Sequence, residues 1–363
     1  MQEQWVELGN DRFLLEEIKK GNDTASLTDF EKSALDFCRE WIQGKERFEL
    51  QTSGSTGTPK KISVTRDQLQ ASANLTAKAL GLKKDNTALV CLDTRYIAGI
   101  MMIVRSLEVG MNMIIVEPSA NPLEKIEEGA SIDFTAFVPL QLETILRSPD
   151  SKKLNQIKIA LIGGAALNSK IVKDIKGMKC NFYTTYGMTE TLSHIALQKL
   201  NGKNTQDYFE VLPGITLSKD KRDCLIIHAP HLSNEPIITN DLIEFITSSQ
   251  FRWLGRADNI INTGGVKVIP EKIEASIGKF FEELNMSNRF FVAALPDDLL
   301  GQSVNLFIEG HPFETETEDF IQEKINYSLS RFERPKSIRY VVQFIDTDTG
   351  KINKNKTIAL MQG

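Results

Sequence analysis

The sequence predicts an α/β protein: a large N-terminal α/β domain with a β-rich subdomain, followed by a small α+β C-terminal domain. Three observations carry this. From Phe48 to about Leu200 short β-rich runs alternate with helical patterns, which argues a largely parallel sheet layered with helices. Between Tyr208 and Trp253 the runs shorten, Pro213, Pro230 and Pro236 punctuate them, and the helical period fades. After Gly255 to Asn259 a new order of helix, strand, strand, helix, strand begins, and its roughly 105 residues suffice for a separate domain.

Taken in order, Thr28 and Glu31 form a capping-box pattern ahead of Phe30, Ala34, Leu35, Phe37, Cys38, Trp41 and Ile42, and Gly44 is placed to stop that helix. Strands are expected at Leu89 to Leu92, Met113 to Val116, Phe134 to Val138, Ile157 to Ile162 and Cys180 to Thr184, with helices such as Arg66 to Leu80 and Leu167 to Ile175 between them. The β-rich subdomain covers about residues 205–257. Beyond it come helix Pro270 to Phe281, strands Phe290 to Leu295 and Val304 to Ile308, helix Thr317 to Ser330 and strand Ser337 to Val342. The domain division expected is therefore 1–257 and 258–363.

The chain has 363 residues, with 43 Lys+Arg against 48 Asp+Glu and a formal charge of −5. That balance speaks against a nucleic-acid partner. Lysines between Lys152 and Lys179 are offset by Asp150 and Asp174 and read as a solvated face. Cys38, Cys91, Cys180 and Cys224 show no metal-ligand spacing, so they read as buried thiols in a reducing compartment, by default the cytoplasm. The N-terminus lacks the pattern of a signal peptide, and the longest apolar run, Tyr96 to Val104, is too short to span a membrane.

The most informative segment is TSGSTGTPK, Thr52 to Lys60. Gly54 and Gly57 permit positive φ values that aim successive backbone N–H groups at one point, and hydroxyls of Thr52, Ser53, Ser55, Thr56 and Thr58 add donors. With the Lys60 cation, this composition suits a polyphosphate. The spacing does not match a Walker loop, and a plain Ser/Gly turn is the competing reading. GGAAL, Gly163 to Leu167, follows a strand; small residues there let a flat ring approach the backbone, or simply make a tight turn. YGMTET, Tyr186 to Thr191, sets an aromatic face, hydroxyls and a carboxylate within a few residues, as a nucleotide and its Mg²⁺ require.

These segments, with TNDL (Thr239 to Leu242), GRADN (Gly255 to Asn259), TGGVKVIPEKIE (Thr263 to Glu274) and TGKINK (Thr349 to Lys354), resemble in one shared order the AMP-forming acyl-adenylating superfamily of acyl-CoA ligases, luciferases and adenylation domains. The resemblance implies ATP, CoA and a small carboxylic acid as substrates, Mg²⁺ as metal, and a mobile C-terminal domain. It implies that Thr52, Ser53, Gly54, Ser55, Thr56, Gly57 and Lys60 hold phosphate, and that Gly163, Gly164 and Ala165 border adenine beside Tyr186, Gly187 and Met188. Thr189 would contact phosphate and Glu190 would hold Mg²⁺. Asp241 would accept from the ribose hydroxyls, Arg256 would reach ribose or phosphate, and Asp258 would be the hinge. Gly264, Gly265 and Lys267 would face CoA, and Lys351 would be the late catalytic lysine. Asn240 stands where the family has glycine, and Lys272 where it has glutamate, with Glu274 retained. The stretch before Thr52 is shorter than in typical members, which implies a truncated N-terminal subdomain.

For the acid, DTRYIAGIMMIVRSL places Arg95 and Tyr96 where the family borders its acyl pocket. An arginine fork there suits a second carboxylate; equally, Arg95 and Arg105 could flank a buried helix and pair with surface acids. RYIAGIMMIVRSLEVG and TGGVKVIPEKIE look most like the bacterial o-succinylbenzoate:CoA ligase branch that serves menaquinone biosynthesis. A ligase for another aryl or short-chain acid, and a member that binds nucleotide without turnover, are the competing readings. The oligomeric state is not legible in the sequence.

Overall fold

A computed structural model describes residues 3–21, 27–51, 61–165, 167, 169–347 and 352–361. The chain packs as two units, one of residues 1–167, 171–216 and 227–237, the other of residues 168–170, 217–226 and 238–363.

The first unit contains β1 (Trp5–Leu8), β2 (Asp11–Leu14), α1 (Leu15–Lys20), α2 (Asp29–Ile42), β3 (Arg47–Gln51), β4 (Lys61–Thr65), α3 (Arg66–Leu80), β5 (Thr87–Val90), α4 (Ile97–Val109), β6 (Asn112–Ile115), β7 (Ile132–Phe137), α5 (Pro139–Leu146), β8 (Ile157–Ile162), α6 (Ser169–Ile175), β9 (Asn181–Gly187), β10 (His194–Lys199) and β11 (Phe209–Val211). Its sheet runs in the order β11-β10-β9-β8-β7-β5-β6-β1-β2. From β9 to β1 neighbouring strands pair in parallel, as the strand-helix alternation requires. Leu89, Ile132, Phe134, Ala160, Ile162 and Phe182 are buried, which fits near-continuous apolar runs in a sheet covered on both faces.

Local chemistry sets the helices. Thr28 accepts the Glu31 N–H and Glu31 accepts the Thr28 N–H, starting α2, which buries Ala34, Leu35, Phe37, Cys38 and Trp41. Thr65 and Gln68 do the same for α3, which Gly81 ends in the left-handed conformation. The β1-β2 hairpin, absent from the sequence expectations, joins the sheet through Val6 opposite Met113. All four cysteines are free and buried; burial pushes the Cys38, Cys91 and Cys180 thiols up to about 12.

The second unit begins with β12 (Thr216–Lys219), β13 (Cys224–His228), β14 (Ile237–Thr247) and β15 (Gln250–Arg256), side by side in that order. After a 3₁₀ turn, Ala257–Asn259, follow β16 (Ile261–Thr263), β17 (Val266–Val268), α7 (Pro270–Glu283), β18 (Phe290–Asp297), β19 (Gly301–Glu309), α8 (Thr315–Ser328), β20 (Ser337–Val341) and α9 (Lys354–Ala359). Helices α7 and α8 bury Ile273, Ile277, Phe281, Ile321 and Ile325 with Val292, Val304, Leu306 and Ile308 of the sheet. A second cluster joins Phe291, stacked on Phe307 at 4.7 Å, with Val341 and Phe344. The expected division at 257/258 falls within this unit, at the turn Ala257–Asn259.

Candidate functional site

In the first unit β8 and β9 run parallel, with Ile162 opposite Thr184. Gly163 to Ala165 and Gly187 to Glu190 therefore leave neighbouring strands at their carboxyl ends, where open α/β sheets bind ligands. Gly163 donates its N–H to Phe137 O at the end of β7, 3.1 Å away, while Gly164 and Ala165 are exposed. Tyr186 packs its ring on Phe209, centroids 5.7 Å apart. A 3₁₀ turn, Thr189–Thr191, presents Glu190 to solvent, and the Thr191 hydroxyl, itself buried, accepts the Met188 N–H at 2.9 Å. The turn ends at Leu192, buried with φ +58, a conformation costly for a branched side chain.

Residues 52–60 connect β3 to β4, whose facing ends are Gln51 and Lys61. Thr52, Ser53, Gly54, Ser55, Thr56, Gly57 and Lys60 lie outside the described residues, as does Lys351.

Arg95 and Arg105 separate clearly. Arg95 is exposed and closes its fork on the neighbouring Asp93 at 2.6 to 3.0 Å, which lifts its own pKa and lowers that of Asp93. Tyr96 is the half-buried N-cap of α4. A cleft of about 330 Å³ at this end of β5 and β6 is lined by Asp29, Ser33, Asp93, Thr94, Arg95 and Glu117; three carboxylates against one guanidinium already paired make it unfavourable for a dianion. Arg105, by contrast, is 3% exposed in the middle of α4, and no carboxylate pairs with it among the described residues. It donates to the Ser193 hydroxyl, its Nε has no partner among the described residues, and burial pushes its pKa down to about 9. The Ser193 hydroxyl lies 3.3 Å from His194 Nδ1, and His194 Nε2 lies 3.1 Å from the Thr76 hydroxyl. Burial first, then Arg105, holds this imidazole neutral. His194 faces Gly187 across the β9-β10 pair, so the buried cation belongs to the YGMTET turn. The single cation within the apolar run Ile97–Val109 was the sequence signal for it.

In the second unit Asp241 on β14 faces Arg256 on β15. Asp241 is buried; its Oδ1 accepts the Trp253 indole N–H at 3.1 Å and lies 3.9 Å from an Arg256 nitrogen. The Thr239 hydroxyl accepts the Asp241 N–H and donates to Leu225 O, fixing the strand here. Arg256 also donates to both Asp258 oxygens at 2.8 and 2.9 Å. That bond holds the Asp258 carboxyl below its usual range, with a smaller contribution from Asn240. Asn240 in turn accepts from Arg222 at 3.0 Å. Glu271 accepts from Asn259 at 2.6 Å, its other oxygen has no partner among the described residues, and burial raises its pKa. Gly264 and Gly265, at φ +57 and +81, make the two-residue turn between β16 and β17, with Thr263 opposite Val266; both positions demand left-handed backbone. Lys267 is exposed on β17.

The first unit thus assembles Gly163, Gly164, Ala165 and Tyr186 to Glu190 at one sheet end, and the second assembles Asp241, Arg256 and Asp258. Sequence reasoning missed Arg105 with Ser193 and His194, and missed Trp253 and Glu271 as partners of the second group.

Comparison with known proteins finds relatives of this chain. The family model described as AMP-binding enzyme covers residues 50–216. A Mycobacterium tuberculosis protein (strain CDC 1551 / Oshkosh), named "Probable 2-succinylbenzoate–CoA ligase", is 30% identical over 288 residues, 73% of this chain and 71% of that protein. The crystal structure of an acyl-CoA synthetase (AMP-forming)/AMP-acid ligase II-like protein from Dyadobacter fermentans DSM 18053 is 41% identical, covers 94% of this chain and 97% of its own, and superposes with a TM-score of 0.65. The o-succinylbenzoate coenzyme A synthetase of Bacillus subtilis, solved with ATP and magnesium ion, shares the fold at a TM-score of 0.69, with 18% identity over 85% of this chain and 69% of that one. The chain belongs to the AMP-binding enzyme family, and within it to the AMP-forming acyl-CoA ligases.

Proposed function

We propose that this ligase activates o-succinylbenzoate with ATP and transfers the acyl group to CoA. The observation that carries the choice of acid is Arg105, a buried guanidinium without a carboxylate partner among the described residues, tied through Ser193 and His194 to the YGMTET turn. A guanidinium kept out of water and unpaired is costly unless a ligand brings the counter-charge. The second carboxylate of a dicarboxylic acid supplies it, whereas Arg95 is already neutralised by Asp93. The names of the Mycobacterium tuberculosis relative and of the Bacillus subtilis structure support the same acid.

The chemistry follows from the electrophile problem. A carboxylate oxygen attacks the α-phosphorus of ATP, the bond to pyrophosphate breaks, and the mixed anhydride is then attacked at carbon by the CoA thiolate with AMP leaving. Negative charge grows on the phosphoryl oxygens in the first step, where preorganised donors lower the barrier. Residues 52–60, Thr189 and Lys351 serve there; Gly163 to Ala165 and Tyr186 to Met188 border the adenine; Asp241 and Arg256 take the ribose. Glu190, exposed on its short turn, fits Mg²⁺: no cluster of three such ligands exists among the described residues, and Mg²⁺ binds through one or two carboxylates plus substrate phosphates. That ion supplies charge neutralisation on the phosphates. Rotation at Asp258, dividing 1–257 from 258–363, then presents Gly264, Gly265 and Lys267 to the thiol.

The test is pyrophosphate release with Mg·ATP and CoA across a panel of mono- and dicarboxylic acids. Preference for o-succinylbenzoate, lost in Arg105→Met, supports the reading. Preference for a monocarboxylic acid overturns the acid; nucleotide binding without turnover on any acid overturns the enzyme.

A further inference from the structure

A line of hydrogen-bonded side chains runs from Arg105 on α4, through Ser193 and His194 at the head of β10, to Thr76 on α3. Arg105, His194 and Thr76 are 3%, 8% and 0% exposed, and Ser193 is half-buried. A guanidinium has five N–H donors and no acceptor. Ser193 Oγ, its one oxygen partner among the described residues, therefore accepts from it. That leaves the Ser193 proton to be donated, and His194 Nδ1, 3.3 Å away, is the acceptor in reach. Burial keeps the imidazole neutral, so with Nδ1 accepting, its proton sits on Nε2. Nε2–H then donates to the Thr76 hydroxyl at 3.1 Å, whose own proton goes to Ser72 O, 3.3 Å away and one turn earlier in α3. The opposite tautomer would aim Nδ1–H at Ser193 Oγ in competition with Arg105, and would leave the Ser193 proton without an acceptor among the described residues. A single order of protons satisfies every member of the line.

We propose that His194, as its Nε2–H tautomer, and Thr76 are positioning residues for Arg105: they fix the Ser193 hydroxyl as an acceptor and so orient the guanidinium that takes the second carboxylate of the acid. The proposal rests on the reading of Arg105 given above. Besides Ser193, the fork has only the Met102 sulfur, 4.0 Å from Nη1, and its Nε has no partner among the described residues. Ser193 therefore sets the direction of the fork, and the remaining donors are left for a ligand. A group oriented before the ligand arrives loses less freedom on binding, which is gained as affinity. Thr76 bonds His194 and not Arg105, so its task is to hold the tautomer against the backbone of α3.

Thr76→Val nearly keeps the shape and removes the acceptor of Nε2–H, whereas Thr76→Ser keeps the hydroxyl. Both should be compared with the parent and with Arg105→Met by ¹⁵N NMR of the imidazoles, using His194→Phe to assign the His194 signal among the four histidines of the chain. The same proteins are assayed in steady state with o-succinylbenzoate and with a monocarboxylic analogue. The parent should show the Nε2–H form of His194. Thr76→Val should populate Nδ1–H and raise the KM for o-succinylbenzoate roughly 3- to 10-fold, the scale of one neutral hydrogen bond. Its kcat and its KM for the analogue should stay within about twofold of the parent, since a contact to the distal carboxylate is shared by ground and transition states. Thr76→Ser should restore both the tautomer and the KM. An Nδ1–H or charged imidazole in the parent overturns the proposal, as does a KM change in Thr76→Val that is absent or is shared by both acids. If the parent does not turn over o-succinylbenzoate, or Arg105→Met keeps the KM of the parent for it, the reading of the acid has failed and the positioning role falls with it. The tautomer is read without substrate, so the two failures are told apart.

Discussion

Gly187 and His194 face each other so closely across β9 and β10 that a methyl group on Gly187 would lie 2.5 Å from the His194 Cα. The obstacle is backbone and cannot rotate away. Gly187→Ala should therefore cost about 1–3 kcal/mol, the range for overpacking, with a matching fall in the urea midpoint. An unchanged midpoint would mean that the two strands separate freely at the YGMTET turn.

Removing the Arg105 cation should separate stability from function. Arg105→Met deletes a buried charge that has no carboxylate partner among the described residues, so the unfolding midpoint should hold or rise. The KM for a dicarboxylic acid should rise roughly 10- to 100-fold, the equivalent of a charged hydrogen bond worth about 1.5–3 kcal/mol. A monocarboxylic analogue should show no such change. Equal effects on both acids would remove Arg105 from acid recognition.

Asp241 offers a test on the nucleotide. It is buried and holds the Trp253 indole N–H, so Asp241→Asn keeps the shape and replaces one acceptor oxygen. ATP affinity should fall roughly 10- to 100-fold, again the scale of a charged hydrogen bond, as titrated by indole fluorescence. Unaltered ATP affinity would exclude the ribose role.

Glu271 gives a pH dependence with a definite sign. Burial raises its folded pKa above the unfolded value, so the fold holds the Glu271 proton more tightly than the unfolded chain does. The stability associated with that proton is complete below the unfolded pKa and is lost as pH rises through the folded one. Glu271→Gln, which can still accept the Asn259 N–H, should be more stable than the parent near neutral pH, and the gap should close on acidification toward the ordinary glutamate range. A gap independent of pH would place the effect in packing.

Much of this was legible because local rules and tertiary packing agree. Ile157–Ile162 and Arg66–Leu80 have the expected bounds, and the Thr28–Glu31 box starts its helix as expected, since strand period, caps and burial all point the same way. The β1-β2 hairpin was harder: its strands have four residues each, and only Gly9, at φ +58, marks the turn. Two short strands give too little alternation to detect. In the site, GGA and YGMTE were readable as small and polar residues following strands. The difference between Arg95 and Arg105 was not, because burial of one and pairing of the other depend on where α4 packs, which composition and spacing do not encode.

The most direct measurement is to incubate the protein with Mg·ATP and o-succinylbenzoate in the absence of CoA, and to analyse the protein-bound products by mass spectrometry before and after CoA is added. One equivalent of pyrophosphate and a bound acyl-adenylate are expected, both absent in Lys351→Ala, and CoA should convert the adenylate to thioester and AMP. Release of ADP and phosphate, or thioester formation with no adenylate intermediate, would contradict it.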